Sequence, residues 1–164
     1  LRRIAFTSGL SGRVKQEDAV PLLRHILVVE DNVSLRGLFV DVLSAEHDLL
    51  VDAAGSIAEA EALLAGPDAA YDAILLDLGL PDGDGRDLCR QLCGRGVRIP
   101  ILLLTGSVGE QDRLDAMDCG ASDYLVKPVR IAALLVRLRA QLRAFDGAAA
   151  AALPAARHLG DARP

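Results

Sequence analysis

Ala73-Ile74-Leu75-Leu76-Asp77-Leu78-Gly79-Leu80-Pro81-Asp82-Gly83 is a short aliphatic run that ends on one carboxylate and breaks into a Gly/Pro/Asp turn. A run this short, bounded by turn residues, reads as a buried strand of a parallel sheet. The carboxyl ends of such strands are where open α/β sheets carry their chemistry. Asp77 therefore stands at a strand tip, near water but walled by apolar neighbours. That is a place for a nucleophile or a metal ligand.

Working outward, the same pattern repeats on both sides. His25 to Val29 is β-branched and aliphatic and ends in Glu30-Asp31-Asn32, whose polar side chains can cap a helix carrying Leu35, Leu38, Phe39, Val42 and Leu43. Asp48 to Ala53 reads as a second strand. Ser56, with Glu59 three residues on, forms a capping box for a second helix, which Gly66-Pro67 stops. After the strand ending at Asp77, a helix is expected over Asp82–Arg95, with Leu88, Cys89 and Leu92 facing inward. A fourth strand runs through Val97–Leu104, with Pro100 near its start, and ends in Thr105-Gly106-Ser107. A helix over Val108–Cys119 closes on Gly120. Asp123–Val126 is a fifth strand ending in Lys127-Pro128, and a last helix spans Arg130–Phe145. Five strand-then-helix units in series imply a five-stranded parallel sheet with helices on both faces, an α/β fold.

Composition bounds the rest. A chain of 164 residues, half hydrophobic and a quarter charged, holds one domain with modest extensions. With 3% aromatic residues, aliphatic packing must build the core. The net charge of −5 argues against nucleic-acid binding by charge alone. No apolar run approaches the roughly 20 residues of a membrane span, and the first residues make no convincing signal peptide. Three cysteines, Cys89, Cys93 and Cys119, read as reduced, buried thiols of a cytoplasmic protein rather than as metal ligands. The expected layout is a mildly basic extension over 1–23, one domain over 24–145, and an Ala-rich tail or linker over 146–164. The chain begins at Leu1, as a fragment or a processed form would.

In a parallel sheet the tips Glu30-Asp31, Asp77, Thr105 and Lys127 share one edge. Three carboxylates in one cleft repel unless cations sit among them. A hard divalent ion such as Mg2+, together with Lys127, meets that need, and with the Thr105 hydroxyl and glycine amides the set suits a phosphoryl group.

This constellation closely resembles the receiver domain of bacterial two-component response regulators, over about residues 24–145. It does so through Glu30-Asp31, Asp77-Leu78-Gly79-Leu80-Pro81 with Gly83 and Gly85, Thr105-Gly106 and Lys127-Pro128. The resemblance implies the flavodoxin-like (βα)5 fold. It implies that Asp77 accepts a phosphoryl group from a sensor histidine kinase or a phosphotransfer protein. Mg2+ would be held by Glu30, Asp31, Asp77 and the backbone carbonyl of Gly79. Thr105 and Lys127 would hold the phosphoryl oxygens with the amides of Gly79 and Gly106. Thr105 and Tyr124 would form the switch that reshapes the face of the fourth helix, fifth strand and last helix. Such a domain is a signalling phosphoacceptor, not a metabolic enzyme, and its activity is limited to self-phosphorylation from a donor and autodephosphorylation.

The sequence departs from the family pattern at Val129, where Phe is usual. Small Gly79 and Ser107 imply easy water access and a short-lived acyl phosphate. The Leu/Arg alternation of the last helix is similar to receivers of OmpR/PhoB-type transcription factors. Asp123 with Arg137, and Asp118 with Arg139, match positions of their homodimer pattern, while Ala133 and Ser122 do not. Direct nucleic-acid contact by this domain is not expected. The tail fits either a linker to an output domain or the end of a stand-alone phosphotransfer or docking module. A hydrolase on the same fold is disfavoured: there is no P-loop or dinucleotide fingerprint, and no Ser-His pair stands out among His25, His47 and His158. Asp82-Gly83-Asp84-Gly85 lacks the spacing of a Ca2+ loop and reads as a turn.

Overall fold

Strict alternation along the central strands assigns each side chain to one of two cores. The structure, a computed structural model, describes residues 22–106 and 109–152. Nearly all of the expected N-terminal extension, together with Ser107, Val108 and residues 153–164, lies outside the described residues.

Five strands form one sheet in the order β2-β1-β3-β6-β7, every pairing parallel. They are β1 (Arg24–Val29), β2 (Leu49–Ala54), β3 (Ala73–Asp77), β6 (Ile101–Thr105) and β7 (Asp123–Val126). Leu27, Val29, Ile74, Leu76, Ile101 and Leu103 pack on one face; Ile26, Val28, Leu75, Leu102 and Leu104 pack on the other. The second face is covered by α1 (Val33–Ser44), through Phe39 and Leu43, and by α5 (Ile131–Ala152), through Leu134, Leu138 and Leu142. The first is covered by α2 (Ile57–Leu64), α3 (Gly85–Gly94) and α4 (Glu110–Asp118), through Ala60, Leu88, Leu92 and Ala116. Every residue of β3 and β6 is buried, as sheets covered on both faces require.

Local chemistry sets the element ends. Asn32 Oδ1 accepts from Leu35 N at 2.9 Å to start α1. Ser56 Oγ accepts from Glu59 N at 3.2 Å, but the Glu59 carboxylate reaches Gly55 N rather than Ser56 N, so the expected capping box is shifted by one residue. The vacant start of α2 is filled instead by Asp82, whose carboxylate accepts from Ile57 N and Ala58 N at 2.8 and 2.9 Å.

Several boundaries differ from expectation. The strand expected from Val97 begins only at Ile101, after Pro100, and α4 runs over Glu110–Asp118. The helix expected from Asp82 begins at Gly85. The turn before it closes a two-residue antiparallel ladder, β4 (Gly79–Leu80) with β5 (Gly83–Asp84), and Asp84 is the N-cap. At the other end, α5 does not stop at Phe145 but continues to Ala152, through residues expected to be tail. Alanine is the best helix former, and its run outweighs the roughly 1 kcal/mol cost of Gly147 inside the helix. Gly120 meets expectation: it follows the C-cap Cys119 with φ +93°, a conformation glycine adopts freely. Cys89 and Cys119 are buried and Cys93 is half-buried. Among the described residues, no helix is long and apolar enough to cross a membrane.

Candidate functional site

Parallel pairing brings the ends of β1, β3, β6 and β7 to one edge of the sheet. Among the described residues, the buried polar or charged side chains are Glu30, Asp77 and Thr105, and all three lie at this edge. Among those residues, buried charge is confined to this edge.

Glu30 follows the last residue of β1 and is 0% exposed. Its Oε1 accepts from Asn32 N at 3.1 Å and its Oε2 from Lys127 Nζ at 2.8 Å. Lys127 Nζ also lies 3.2 Å from Asp77 Oδ1, so one ammonium bridges two carboxylates. Burial pushes the Glu30 carboxyl up; the Lys127 bond opposes this, and the nearby Asp77 charge adds to it. Burial alone would lower the Lys127 ammonium, but Glu30 and Asp77 outweigh that and leave it raised.

Glu30, Asp31 and Asp77 each offer one oxygen, and these oxygens all lie within 4.8 Å of one another. An all-oxygen, three-carboxylate set with a single lysine against it fits a hard divalent cation. Asp31 is the exposed member and borders solvent.

The remaining expected residues surround this centre. Lys127 N donates to Thr105 O at 2.7 Å and Leu78 N to Leu104 O at 3.1 Å, which fixes three strand tips relative to one another. Gly79 N donates to Asp77 Oδ1 at 3.4 Å. Gly79, Thr105 and Gly106 line an open cleft beside Asp77. A Cβ at Gly79 or Gly106 would meet nothing within 4 Å, so the cleft is clear for a ligand on that side. Tyr124 lies two residues before the end of β7, opposite Leu103, half-buried against the α3/α4 core.

Sequence reasoning missed several supporting residues. Arg36 Nη1 donates to Glu30 O at 2.8 Å and pins the acidic loop; Gly55 leaves room for it, since a Cβ there would lie 2.8 Å from Nη1. Gly85, already part of the motif read from sequence, sits so close to β3 that a Cβ would lie 2.2 Å from Asp77 O. Arg86, next in sequence, lines the same cleft as Thr105 and Gly106. Within the chain, Arg139, one of the positions that match the homodimer pattern, is bound by Asp48 and Glu46 at 2.8–2.9 Å. Arg137 is paired with Asp123, also within the chain, at 2.8 Å.

Fold and site together define a doubly wound α/β domain with an acidic, lysine-bridged pocket at the carboxyl ends of its strands. A family model of the response regulator receiver domain matches residues 26–139, and the chain belongs to that family. It is 38% identical over 128 residues to the virulence transcriptional regulatory protein PhoP of Salmonella typhimurium, a match covering 77% of this chain and 55% of that protein. The chain thus spans about half the length of the curated relatives it matches. The BeF3-activated N-terminal receiver domain of Klebsiella pneumoniae RstA is 37% identical, with a TM-score of 0.67 over 73% of this chain and 99% of that one. A CheY-like receiver domain protein of Methanospirillum hungatei shares the fold at 23% identity, with a TM-score of 0.71 over 77% of this chain and 98% of that one.

Proposed function

We propose that this receiver domain is a phosphorylation switch in which Asp77 takes a phosphoryl group from a phosphohistidine of a sensor kinase or phosphotransfer protein. The observation that carries this reading is Lys127 bridging Glu30 and Asp77 inside a three-carboxylate cluster, beside an open cleft. An Asp77 oxygen attacks phosphorus, the new O–P bond forms, and the P–N bond breaks with its electron pair leaving on the imidazole. A carboxylate nucleophile needs no general base for this step.

Glu30, Asp31, Asp77 and the Gly79 carbonyl would hold Mg2+. When bound, it supplies positive charge against the carboxylates and the transferring group. Lys127 and the Thr105 hydroxyl hold phosphoryl oxygens, and the amides of Gly79 and Gly106 add donors. Once the acyl phosphate has formed, Thr105 turns toward it and Tyr124 changes its packing. The face made by α4, β7 and α5 then responds, a local charge change biasing a two-state element.

Exposed Leu114 and Met117 of α4 and Val136 of α5 support that face as a contact surface, including one for a second copy of the chain. This is signalling chemistry rather than metabolic catalysis, in a cytoplasmic setting, and no DNA contact is assigned to the domain itself.

Incubation with acetyl phosphate and Mg2+, followed by intact mass, tests the reading. The protein should gain one phosphoryl group, and Asp77→Asn should gain none. Labelling that survives this substitution would show the acceptor to be elsewhere.

A further inference from the structure

Two loops of the acidic site come from different parts of the chain, and both rest on the start of α2. The first loop, Glu30-Asp31, is held through its backbone. Arg36 Nη1 donates to Glu30 O at 2.8 Å and, more weakly, to Asp31 O at 3.4 Å. The same nitrogen packs on Gly55, where a Cβ would lie 2.8 Å from it. Gly55 is in turn fixed by the first turn of α2, its N–H donating to Glu59 Oε2 at 2.7 Å.

The second loop is the β4–β5 turn that follows Asp77. Asp82 in that turn accepts from Ile57 N on Oδ1 at 2.8 Å and from Ala58 N on Oδ2 at 2.9 Å. The bonds from Ala58 and Ile57 hold its carboxyl below the usual range. Gly83, the next residue, lies against the Ile57 side chain, where a Cβ would be 2.8 Å from Cδ1. Gly79 pairs with Asp84 in the ladder that this turn closes, so seating the turn also seats Gly79.

We propose that the first turn of α2 is a brace for the metal site, and that Arg36 and Asp82 are positioning residues that seat its two loops there. The inference rests on the reading of Glu30, Asp31, Asp77 and the Gly79 carbonyl as Mg2+ ligands. Carboxylates crowded without a cation repel, and loops free to spread would have to be gathered again on binding. Arg36 bonds to carbonyl oxygens rather than to carboxylates, so it fixes its loop without competing with the ion.

Calorimetric titration of the full chain with Mg2+ tests the brace. Groups that orient metal ligands are worth ten- to a hundredfold in affinity, and Arg36→Gln should weaken Mg2+ about tenfold. An arginine acting only as a nearby charge predicts the reverse, since losing a cation beside the cluster favours Mg2+. Gly55→Ala changes no charge and displaces only the guanidinium. It should weaken binding in the same direction and add little to Arg36→Gln. Asp82→Ala should weaken binding about threefold, on the order of one net hydrogen bond. Asp82→Asn still offers a capping oxygen to α2 and should keep most of the affinity. In the metal-free protein, the Asn32 N–H that donates to Glu30 Oε1 should exchange with deuterium faster in Arg36→Gln and in Gly55→Ala.

If either Arg36→Gln or Gly55→Ala fails to weaken Mg2+, if their effects add in full, if Asp82→Ala and Asp82→Asn act alike, or if exchange at Asn32 is unchanged, the brace is overturned while the metal site stands. If the unsubstituted protein binds no Mg2+, or Asp31→Asn binds it as tightly, the metal reading falls and the brace with it.

Discussion

The two edges of the sheet handle charge in opposite ways. At the amino-terminal edge, carboxylates are matched to guanidinium groups. Arg24 binds Asp146 and lies 3.7 Å from Asp72, and Arg139 grips Asp48 and Glu46 together. These pairs join β1 to α5 and α5 to the loop before β2, so they hold elements together. At the carboxyl-terminal edge, Glu30, Asp31 and Asp77 are crowded within 4.8 Å, and Lys127 is shared between two of them. Burial makes this worse, since Glu30 and Asp77 are 0% and 5% exposed. One edge spends its charges on the fold. The other keeps an excess of negative charge that the fold tolerates, which marks it as the working edge.

The largest expected effect sets the edges apart through a cation. If the folded cluster holds Mg2+ as proposed, the ion at about 100 times its dissociation constant should raise the unfolding free energy by about 2.7 kcal/mol. The gain should be the same in Arg139→Ala, whose substitution lies at the far edge, and much smaller in Asp31→Asn. Thermal unfolding in EDTA and in excess Mg2+ reads both. If Asp31→Asn keeps the full gain, the carboxylate cluster is not where the ion binds.

Next in size is Lys127→Ala in metal-free buffer. Removing one partner of a buried pair costs roughly 3–5 kcal/mol, and because Lys127 is a quarter exposed we expect about 2 kcal/mol. Adding Glu30→Gln should recover part of the loss, since it removes the buried charge that was left unpaired. Urea unfolding of the two single variants and the double variant measures the coupling. Strict additivity would mean that Lys127 does not offset Glu30.

The contrast also explains what was legible in the sequence. Every residue of the working edge follows an apolar run, so strand order and parallel pairing alone bring Glu30, Asp31, Asp77, Thr105 and Lys127 together. The supporting residues carry no such signal. Arg36 and Arg86 look like solvated first-turn residues, and their roles emerge only when the helices pack. Asp82 looks like a turn residue, yet it caps α2, a helix that begins 25 positions earlier in the chain. The intrachain partners of Arg139 were hidden for a similar reason. Its place in the Leu/Arg alternation points to an exposed face, but the turn of α5 at that point carries it to the edge where Asp48 and Glu46 wait. The continuation of α5 to Ala152 was hidden by composition: an Ala-rich stretch with a glycine reads equally as linker or helix.

The smallest expected effect probes the fold-holding edge and carries a pH signature. Arg139→Ala should cost about 1 kcal/mol at pH 7, as a partly exposed pair forked over two carboxylates is worth somewhat more than an isolated surface pair. The Arg139 bonds hold the Asp48 carboxyl below its ordinary range. A carboxyl depressed on folding contributes stability that is fully present above its unfolded value, about 3.9, and is lost as pH falls through the lower folded value. The stability gap between the unsubstituted protein and Arg139→Ala should therefore be constant from pH 7 to about pH 5 and close progressively below pH 4. Urea midpoints across that range measure it. A gap that stays open in acid would assign the contribution of Arg139 to the packing of its aliphatic stem rather than to charge, and the two edges would then differ less in how they use charge than their geometry indicates.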